Sequence, residues 1–225
     1  MSKISIYLLL ILFYLGVSKS LSPTRNHTIF VKDKYALSNL FPGRPLTIIL
    51  LDVKEVGLFM KTYLQKFLII EGFEDSTEVT VRTPKVFFEE EKKYVGLSIL
   101  RRGEQSEETS FTPMPPGVLF MGDPSYGYWK TAPSGKKKWY YYRAYKNLPK
   151  LFAYGAYRPT YQMLKSARIA IKKDIPFFGL NNEFGPQGTI TKKNLKSKFF
   201  KEATKTMQLK DIILRKLEAH RKTNE

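Results

Sequence analysis

The chain has 225 residues and no cysteine, and its 38 Lys and Arg residues outnumber its 20 Asp and Glu residues to give a formal net charge of +18. A hydrophobic content of 43% indicates a folded globule and argues against a chain that is disordered throughout. The lack of cysteine excludes disulfides and thiolate metal sites, so the core alone must hold the fold together.

Residues 1–20 have the features of a secretory signal peptide. Lys3 supplies a positive charge, Ile4–Val17 is uncharged and mostly apolar, and Ser18 and Ser20 occupy the −3 and −1 positions of a cleavage site. The apolar run is shorter than the roughly 20 residues that a membrane-spanning helix needs. We therefore expect export to the periplasm or the extracellular space, and the lack of cysteine favours a bacterial envelope. A retained N-terminal anchor is the alternative.

The positive charge is concentrated in the C-terminal half of the chain. Residues 21–123 hold 13 Lys or Arg and 14 Asp or Glu, whereas residues 124–225 hold 23 Lys or Arg and six Asp or Glu. Such a field attracts polyanions and weakens as salt is added. The expected partners are acidic glycans, wall polymers or anionic lipid headgroups, and nucleic acid only if it is exposed outside the cell. The alternative is a lysine-rich surface that only maintains solubility.

The near-neutral part, residues 21–112, has the pattern of an α+β unit. A short apolar run predicts a buried strand at Leu46–Leu51, and apolar residues repeating at three and four predict an amphipathic helix over Val53–Leu68. Further strands are predicted at Val79–Thr83, Val86–Phe88 and Tyr94–Leu100. Strand, helix and paired strands together predict a layered α+β fold.

A second unit, basic and aromatic-rich, is predicted over residues 113–195. The polar stretch Arg101–Ser110 and the prolines that follow it mark the boundary. The aromatic runs Tyr126–Thr131 and Trp139–Tyr145 predict a β-hairpin across a lysine-rich turn. The other expected elements are strands at Gly117–Met121 and Phe177–Leu180, and a helix at Tyr161–Lys173 capped by Thr160.

Residues 196–225 end the chain with a predicted basic helix over Lys196–Lys222. Its apolar residues lie near heptad spacing, and Lys and Arg occupy many of the other positions. Such a helix fits either a position docked on the core or the surface of an anionic membrane. The sequence leaves both positions open.

The aromatic and basic cluster between Tyr126 and Tyr161 is the candidate ligand-binding region. It contains both tryptophans and nine of the 14 tyrosines. Flat rings stack on sugars or bases, while Lys and Arg bind carboxylate or phosphate groups. The residues predicted to bind such a ligand are Trp129, Lys136, Lys137, Lys138, Trp139, Tyr141, Arg143 and Arg158.

Strand alternation divides the aromatic residues of this region between two faces. It places Trp139, Tyr141 and Arg143 on one face, and Tyr140 and Tyr142 on the other. One of these faces must belong to the core, and the sequence does not decide which. The alternative interpretation is that the aromatic residues only build the core of a small β-rich unit.

Asp123 and Glu183 are the candidate catalytic residues of an alternative function. Each lies in a turn-rich loop, and two carboxylates flanking a glycosidic bond supply the acid and base of most glycosidases. Nothing in the sequence brings the two loops together. A capping role for Asp123 and an ion pair for Glu183 are the competing interpretations.

No other motif predicts catalysis, a metal or a cofactor. Ser134 and Lys137 have a Ser-x-x-Lys spacing that is expected by accident in a lysine-rich turn, and the only histidines, His27 and His220, lie near opposite ends of the chain. No glycine-rich nucleotide motif is present. The sequence therefore predicts an exported basic protein that binds an anionic envelope polymer without catalysis. A cell-wall or glycan hydrolase is the alternative.

Overall fold

The computed structural model describes residues 3–21, 28–57, 60–106, 108–194 and 205–206. These residues form a mixed α+β structure that contains one large, mainly antiparallel sheet and a separate two-stranded hairpin. The predicted α+β class is therefore confirmed.

The described residues contain eight strands and six α-helices. The strands are β1 (Leu46–Val56), β2 (Thr62–Glu71), β3 (Asp75–Thr83), β4 (Ser98–Arg102), β5 (Thr109–Ser110), β6 (Gly127–Thr131), β7 (Lys137–Tyr141) and β8 (Lys205–Thr206). The helices are α1 (Lys3–Leu21), α2 (Lys34–Asn39), α3 (Lys85–Glu91), α4 (Leu148–Leu151), α5 (Tyr161–Lys172) and α6 (Thr189–Asn194). Short 3-10 helices cover Lys92–Tyr94, Val118–Phe120 and Arg143–Tyr145.

The large sheet has the strand order β5-β4-β1-β2-β3-β8. Strand β1 pairs antiparallel with both β2 and β4, and β3 pairs antiparallel with β2. Strand β8 adds two parallel residues opposite Thr77 and Glu78. The hairpin of β6 and β7 lies outside this sheet.

The central strands of the sheet are apolar on both faces. On β1 and β2, one face carries Ile48, Leu50, Phe67 and Ile69, and the other carries Ile49, Leu68 and Ile70. All seven side chains are buried. Strands that are covered on both sides appear in a sequence as unbroken apolar runs, which explains the runs at 46–51 and 67–70. The sheet is thus the middle layer of the molecule.

Different parts of the chain cover the two faces of the sheet. Leu37 and Phe41, together with Phe87 of α3, pack on one face. The other face is covered by side chains from residues 114–190, including those of the hairpin and α5. The aromatic-rich half of the sequence therefore folds directly against the strands of the first half.

The prediction of a helix over Val53–Leu68 is wrong, because this segment forms the β1–β2 hairpin. Gln65 and Lys66 are adjacent polar residues in β2, so they interrupt the apolar pattern on each of its two faces. The apolar residues that remain are spaced by three and four positions, as they would be in a helix. Gly57 begins the turn with φ of 107°, and a Cβ there would lie 2.1 Å from the carbonyl oxygen of Met60. The turn therefore requires glycine, which is unfavourable inside a helix.

The predictions of three short strands are also wrong. Val86–Phe88 lies within α3, which begins directly after Pro84. Gly117–Met121 contains the 3-10 helix Val118–Phe120, and Phe177–Leu180 has no regular secondary structure. Pro116 and Pro176 directly precede the second and third segments, and Pro84 directly precedes α3; proline lacks the N–H that a β-ladder needs.

The remaining predictions in the described residues are largely confirmed. Strand β3 contains the predicted Val79–Thr83, and the aromatic hairpin is present, although β7 ends at Tyr141. Helix α5 begins where expected, because the side chain of Thr160 accepts a hydrogen bond from the N–H of Met163 at 3.2 Å.

One further prediction is confirmed only in part, and another concerns residues that the structure does not describe. The strand expected over Tyr94–Leu100 begins only at Ser98, as β4. The helix expected over Lys196–Lys222 lies outside the described residues, apart from the two residues of β8.

Helix α1 contributes no described side chain to the core. Its described side chains, those of Ile4–Tyr14, are all exposed, and neither apolar cluster contains one of them. Among the helices as far as the structure describes them, none is long and apolar enough to cross a membrane.

Candidate functional site

The antiparallel register of β6 and β7 defines two faces of the hairpin. Tyr128 lies opposite Tyr140, Trp129 opposite Trp139, and Lys130 opposite Lys138. Directly opposite residues project to the same side of a β-pair, and neighbours along each strand project to opposite sides. One face therefore carries the tryptophans, and the other carries tyrosines and lysines.

The inner face of the hairpin, formed by Trp129, Trp139 and Tyr141, packs toward the core. Trp139 is 1% exposed, and its ring centroid lies 5.0 Å from that of the half-buried Trp129. A Cβ on Gly127 would lie 2.2 Å from the carbonyl oxygen of Tyr140 and 2.8 Å from the Trp139 ring. Glycine at this position therefore makes room for the indole.

Tyr141 completes the inner face, and its hydroxyl is buried. Its ring lies 6.0 Å from that of Trp139, nearly perpendicular to it. Burial raises the pKa of Tyr141 above its ordinary value, and the nearby indole N–H of Trp139 offsets part of this effect. The structure thus places Trp139 and Tyr141, both predicted to bind ligand, in packing positions.

The outer face carries three tyrosines, Tyr128, Tyr140 and Tyr142, which we term the tyrosine ladder. The ring of Tyr128 stacks on that of Tyr140 with centroids 6.0 Å apart and planes at 22°, and lies 5.7 Å from that of Tyr142. Tyr128 and Tyr142 are 46% and 42% exposed. The ladder therefore presents aromatic surface that core packing does not use.

Two lysines, Lys130 and Lys138, lie beside the tyrosine ladder. They are opposite each other, two positions along each strand from Tyr128 and Tyr140, which corresponds to about 7 Å. Like charges directly opposite each other destabilise a β-pair. An anion bound between the two ammonium groups would relieve this repulsion. The ladder and these lysines together form the outer face of the hairpin.

A third segment holds β7 in position. The N–H of Trp139 donates a hydrogen bond to the carbonyl oxygen of Pro159 at 2.9 Å, and Lys138 forms a β-bridge with Thr160. Thr160 in turn caps α5. The outer face is therefore presented by strands that are tied to a helix, which fixes the relative positions of its side chains.

The cations of the basic half have few acidic neighbours. Residues 124–194 contain 14 Lys or Arg and only two acids, Asp174 and Glu183. The ion pairs among the described side chains join Lys34 to Glu91, Lys61 to Glu55, Lys66 to Glu78 and Lys92 to Glu89. All of these pairs lie in the near-neutral half, so the described cations after residue 124 keep their field available for an external anion.

The turn between β6 and β7 positions three of the predicted ligand-binding residues. Lys136 and Lys137 are exposed, and Lys138 is half-buried. The turn is closed by a hydrogen bond of 2.9 Å from the N–H of Gly135 to the carbonyl oxygen of Ala132. These lysines place positive charge at the tip of the hairpin, and Lys137, which lies opposite Thr131, projects to the side that carries the tryptophans.

The two predicted arginines have different environments. Arg143 is exposed and follows Tyr142 directly, at the start of a 3-10 helix. Arg158 donates from Nη1 to the carbonyl oxygens of Gly155 and Tyr157 at 3.2 and 2.9 Å. Arg143 is therefore exposed just beyond the end of β7, whereas Arg158 stabilises its own loop.

Asp123 and Glu183 each accept hydrogen bonds within their own loop. Asp123 accepts from the N–H of Ser125 at 2.9 Å. Glu183 accepts from the backbone N–H and the side-chain amide of Asn181 at 3.0 and 3.2 Å, and its carboxylate occupies the space beside Gly179. None of the described hydrogen bonds joins the two loops, so both carboxylates have identifiable structural roles.

A cavity of about 630 Å³ lies between α2, α3 and the loops at 111–113 and 174–176. Aromatic residues and prolines are half of the residues that line it, and the rings of Tyr35 and Phe111 lie 4.7 Å apart. None of the residues predicted from the sequence to bind ligand or catalyse lines it. In the part of the chain that the structure describes, no group of three acidic, His or Cys side chains could hold a metal.

Tyr128, Lys130, Tyr140 and Tyr142 are not among the ligand contacts predicted from the sequence. Alternation already placed Tyr140 and Tyr142 on a shared face, but which face is exposed depends on how the hairpin meets the sheet. The missing signal was the cross-strand pairing of Lys130 with Lys138, because a pair of facing lysines marks the solvent side of a hairpin.

Comparisons of this chain with models of protein families, with curated protein sequences and with solved structures gave no match.

Proposed function

We propose that this protein is exported and binds an acidic polysaccharide of the cell envelope through the outer face of the hairpin, without catalysis. The observation that carries the proposal is the exposed tyrosine ladder beside Lys130 and Lys138. It lies in the half of the chain whose described cations form no ion pair.

The two parts of the outer face match the two parts of an acidic sugar. Aromatic side chains pack against the C–H surfaces of sugar rings, and lysine ammonium groups form charge-assisted hydrogen bonds with carboxylate, sulfate or phosphate groups. Because both strands are tied in place, little backbone freedom is lost on binding. A linear polymer with one acidic group near each ring can contact both parts together.

Tyrosine favours a polysaccharide over the other polyanions expected from the sequence. A phenol combines a flat apolar ring with a hydroxyl that can hydrogen-bond to sugar hydroxyls. The outer face carries no Leu, Ile, Val or Met side chain that would enter the acyl layer, which makes it a weaker match for a lipid surface than for a sugar polymer. Single-stranded nucleic acid also stacks on aromatic rings, and the experiment below therefore includes it as a competitor.

Retention on immobilised polygalacturonate, a linear uronic acid polymer, tests this proposal. We expect retention that weakens as salt is raised, and none on neutral dextran. The double variant Lys130→Gln/Lys138→Gln should bind about tenfold more weakly or worse, because each lost charge-assisted contact costs roughly 1.5 to 3 kcal/mol. Lys54→Gln/Lys85→Gln, which removes two exposed lysines from the near-neutral half, is the matched control.

Three results would count against polysaccharide binding. The first is equal retention on dextran and polygalacturonate. The second is an equal loss of binding in the control variant, which would indicate a response to net charge alone. The third is displacement by single-stranded DNA at lower concentrations than by oligogalacturonate, which would assign the outer face to nucleic acid.

Export is the second part of the proposal, and it is supported by the sequence of residues 1–20 and by the exposed apolar side chains of α1. Since none of the described side chains of α1 belongs to either apolar cluster, we expect the fold to persist after its removal. N-terminal sequencing of the chain after expression in a bacterial host is expected to begin at Leu21. A chain that keeps Met1 and fractionates with membranes would contradict cleavage and support the anchor alternative.

A further inference from the structure

Helix α5 presents a second basic surface, on a different element from the outer face of the hairpin. Its buried residues, Met163, Leu164, Ala167 and Ala170, face the core. Since successive residues of a helix are separated by about 100°, the opposite side carries Tyr161, Lys165, Arg168, Ile169 and Lys172. All five are exposed, and we term them the α5 face.

The α5 face includes one exposed aliphatic residue, Ile169, along one edge. Ile169 is 56% exposed, with Lys165 one turn before it and Lys172 one turn after it. Tyr161 is 44% exposed, and the Nζ of Lys165 lies 5.6 Å from the centre of its ring. The face therefore combines three cations with exposed apolar side chains.

No acidic residue opposes these cations on α5. The first acid after the helix, Asp174, accepts a hydrogen bond from the hydroxyl of Thr112. Among the described side chains, no ion pair includes Lys165, Arg168 or Lys172. Ile175, just beyond the helix, is 48% exposed and adds to the apolar surface at this end.

We infer that the α5 face docks on an anionic membrane surface. Helices that lie on such surfaces place cations among the headgroups while apolar side chains enter the boundary with the acyl chains. The three cations match negative lipid headgroups, and Ile169 would leave water on docking. A hydrated polysaccharide would offer no hydrocarbon layer for Ile169, and the α5 face lacks a ladder of rings for sugars to stack on.

This inference goes beyond polysaccharide binding and stands on separate residues. Together, the two surfaces would let one molecule contact a membrane through α5 and an acidic polymer through the hairpin. Neither surface needs the other to function, so variants can separate them.

Trp129 provides a reporter beside the α5 face. Its ring centroid lies 5.3 Å from that of Tyr161, with the planes at 89°. A Cβ on Gly122 would lie 3.4 Å from a guanidinium nitrogen of Arg168 and 3.7 Å from the Trp129 ring, so both groups border the same glycine. Docking of α5 would therefore change the surroundings of Trp129, while the buried Trp139 would give a constant background.

Sedimentation with vesicles of phosphatidylcholine containing phosphatidylglycerol tests the inference. The chain from Leu21 onward is used, because α1 contributes no described side chain to the core and its apolar residues would bind lipid by themselves. We expect co-sedimentation that depends on phosphatidylglycerol, with a blue shift of tryptophan emission. Each cation near an anionic surface contributes roughly fivefold in partition, so Lys165→Gln/Arg168→Gln/Lys172→Gln should lower it about a hundredfold.

A control triple variant removes the same charge from the same half of the chain. Lys136→Gln/Lys137→Gln/Lys146→Gln changes three exposed lysines outside α5 and should lower vesicle binding several-fold less than the α5 variant. Ile169→Ser keeps the charge and should weaken binding and reduce the blue shift. The exposed Val86→Ser serves as its control.

The outcomes of these measurements are decisive for the α5 face. Loss of vesicle binding in the α5 variant, with polygalacturonate retention and the circular dichroism spectrum unchanged, supports the inference. Equal losses in the two triple variants, unchanged binding in Ile169→Ser, or binding to pure phosphatidylcholine would overturn it. If polygalacturonate retention fails while vesicle binding follows these predictions, polysaccharide binding alone is contradicted.

Discussion

At the scale of single residues, Glu91 is the most unusual charge in the described core. It is 1% exposed, its Oε1 lies 2.9 Å from the Nζ of Lys34, and its Oε2 has no hydrogen-bond partner among the described residues. Burial raises the pKa of Glu91 above its ordinary value, and the ammonium group of Lys34 partly offsets this. The carboxylate is therefore tolerated in α3 mainly because Lys34 is present.

Replacing Lys34 with methionine should destabilise the protein by about 3 kcal/mol at neutral pH, because it leaves a buried carboxylate without its partner. A carboxyl group with a raised pKa binds its proton more tightly in the folded state. The cost should therefore be complete above the raised pKa and disappear as the pH falls below the ordinary glutamate range. Urea unfolding at several pH values measures it.

Lys61→Met is the control for Lys34→Met, since Lys61 forms its ion pair with Glu55 at an exposed position. We expect no measurable change in the midpoint of urea unfolding for this variant. A loss of stability in Lys34→Met that stays constant from neutral to acidic pH would contradict the assigned role of Glu91.

The sequence could not identify Glu91 as special. It is the last of three consecutive glutamates, and the sequence pattern predicts a strand, Val86–Phe88, directly before them. Only the helical geometry of α3 turns Glu91 inward while Glu89 and Glu90 remain exposed. Burial of a single charge therefore depends on the element being assigned correctly first.

At the scale of elements, the hairpin combines a packing face with a binding face. Trp139 is buried in the core, whereas Tyr128 is nearly half exposed. Tyr128 lies opposite Tyr140, the residue next to Trp139 on β7. Trp139→Ala should lower the free energy of unfolding by about 3 to 5 kcal/mol, because it leaves a large cavity. Tyr128→Ala should cost about 1 kcal/mol or less, since only ring stacking is lost.

Thermal or urea unfolding of the two variants tests this assignment of faces. Gly127→Ala provides a further check, because its methyl group would clash with the backbone of β7 and should destabilise the protein by about 1 to 3 kcal/mol. Similar stability losses for Trp139→Ala and Tyr128→Ala would show that the faces are assigned incorrectly.

The hairpin and α5 were predictable because each is marked by local signals. Aromatic strands flank a Gly-containing turn, and Thr160 stands where a capping residue is needed. The β1–β2 hairpin was not predictable in the same way, because both faces of its strands are buried by distant parts of the chain. Its apolar spacing therefore reflects two separate packing partners and resembles a helix only by coincidence.

At the scale of the whole molecule, the core between the sheet and the basic half is unusually rich in tyrosine. Burial raises the pKa of four tyrosines above the ordinary value: Tyr126, Tyr141, Tyr154 and Tyr157. The carboxylate of Glu104, which accepts a hydrogen bond of 2.9 Å from the Tyr126 hydroxyl, adds to the effect at Tyr126. The folded state therefore holds these protons more tightly than the unfolded chain does.

One buried basic group, Arg101, has the opposite effect on how stability changes with pH. Arg101 is buried and donates only to uncharged oxygens, including the carbonyl of Thr112 at 2.7 Å, and burial lowers its pKa to about 10. Its proton is held less tightly in the folded state, so its own contribution makes folding more favourable above that pH. Because four tyrosines have raised pKa values and one arginine has a lowered one, the tyrosines determine the direction in which stability changes at high pH.

The free energy of unfolding should therefore fall as the pH rises above about 10, where the tyrosines of the unfolded chain ionise. The near-ultraviolet absorbance of tyrosinate should show that these four tyrosines ionise only as the protein unfolds. Simultaneous titration of all the tyrosines in a chain that keeps its circular dichroism spectrum would contradict the tyrosine-rich core.

The calorimetric titration of polygalacturonate into the Tyr128→Ala/Tyr142→Ala variant tests the role of the outer face most directly. Its control is Tyr35→Ala/Tyr161→Ala, which removes two tyrosines of comparable or greater exposure from other surfaces. Stacking on an aromatic ring contributes roughly 1 to 3 kcal/mol, so the tyrosine ladder predicts at least a tenfold loss of affinity in the first variant and little change in the control. Unchanged affinity in a folded Tyr128→Ala/Tyr142→Ala variant would contradict polysaccharide binding by the hairpin.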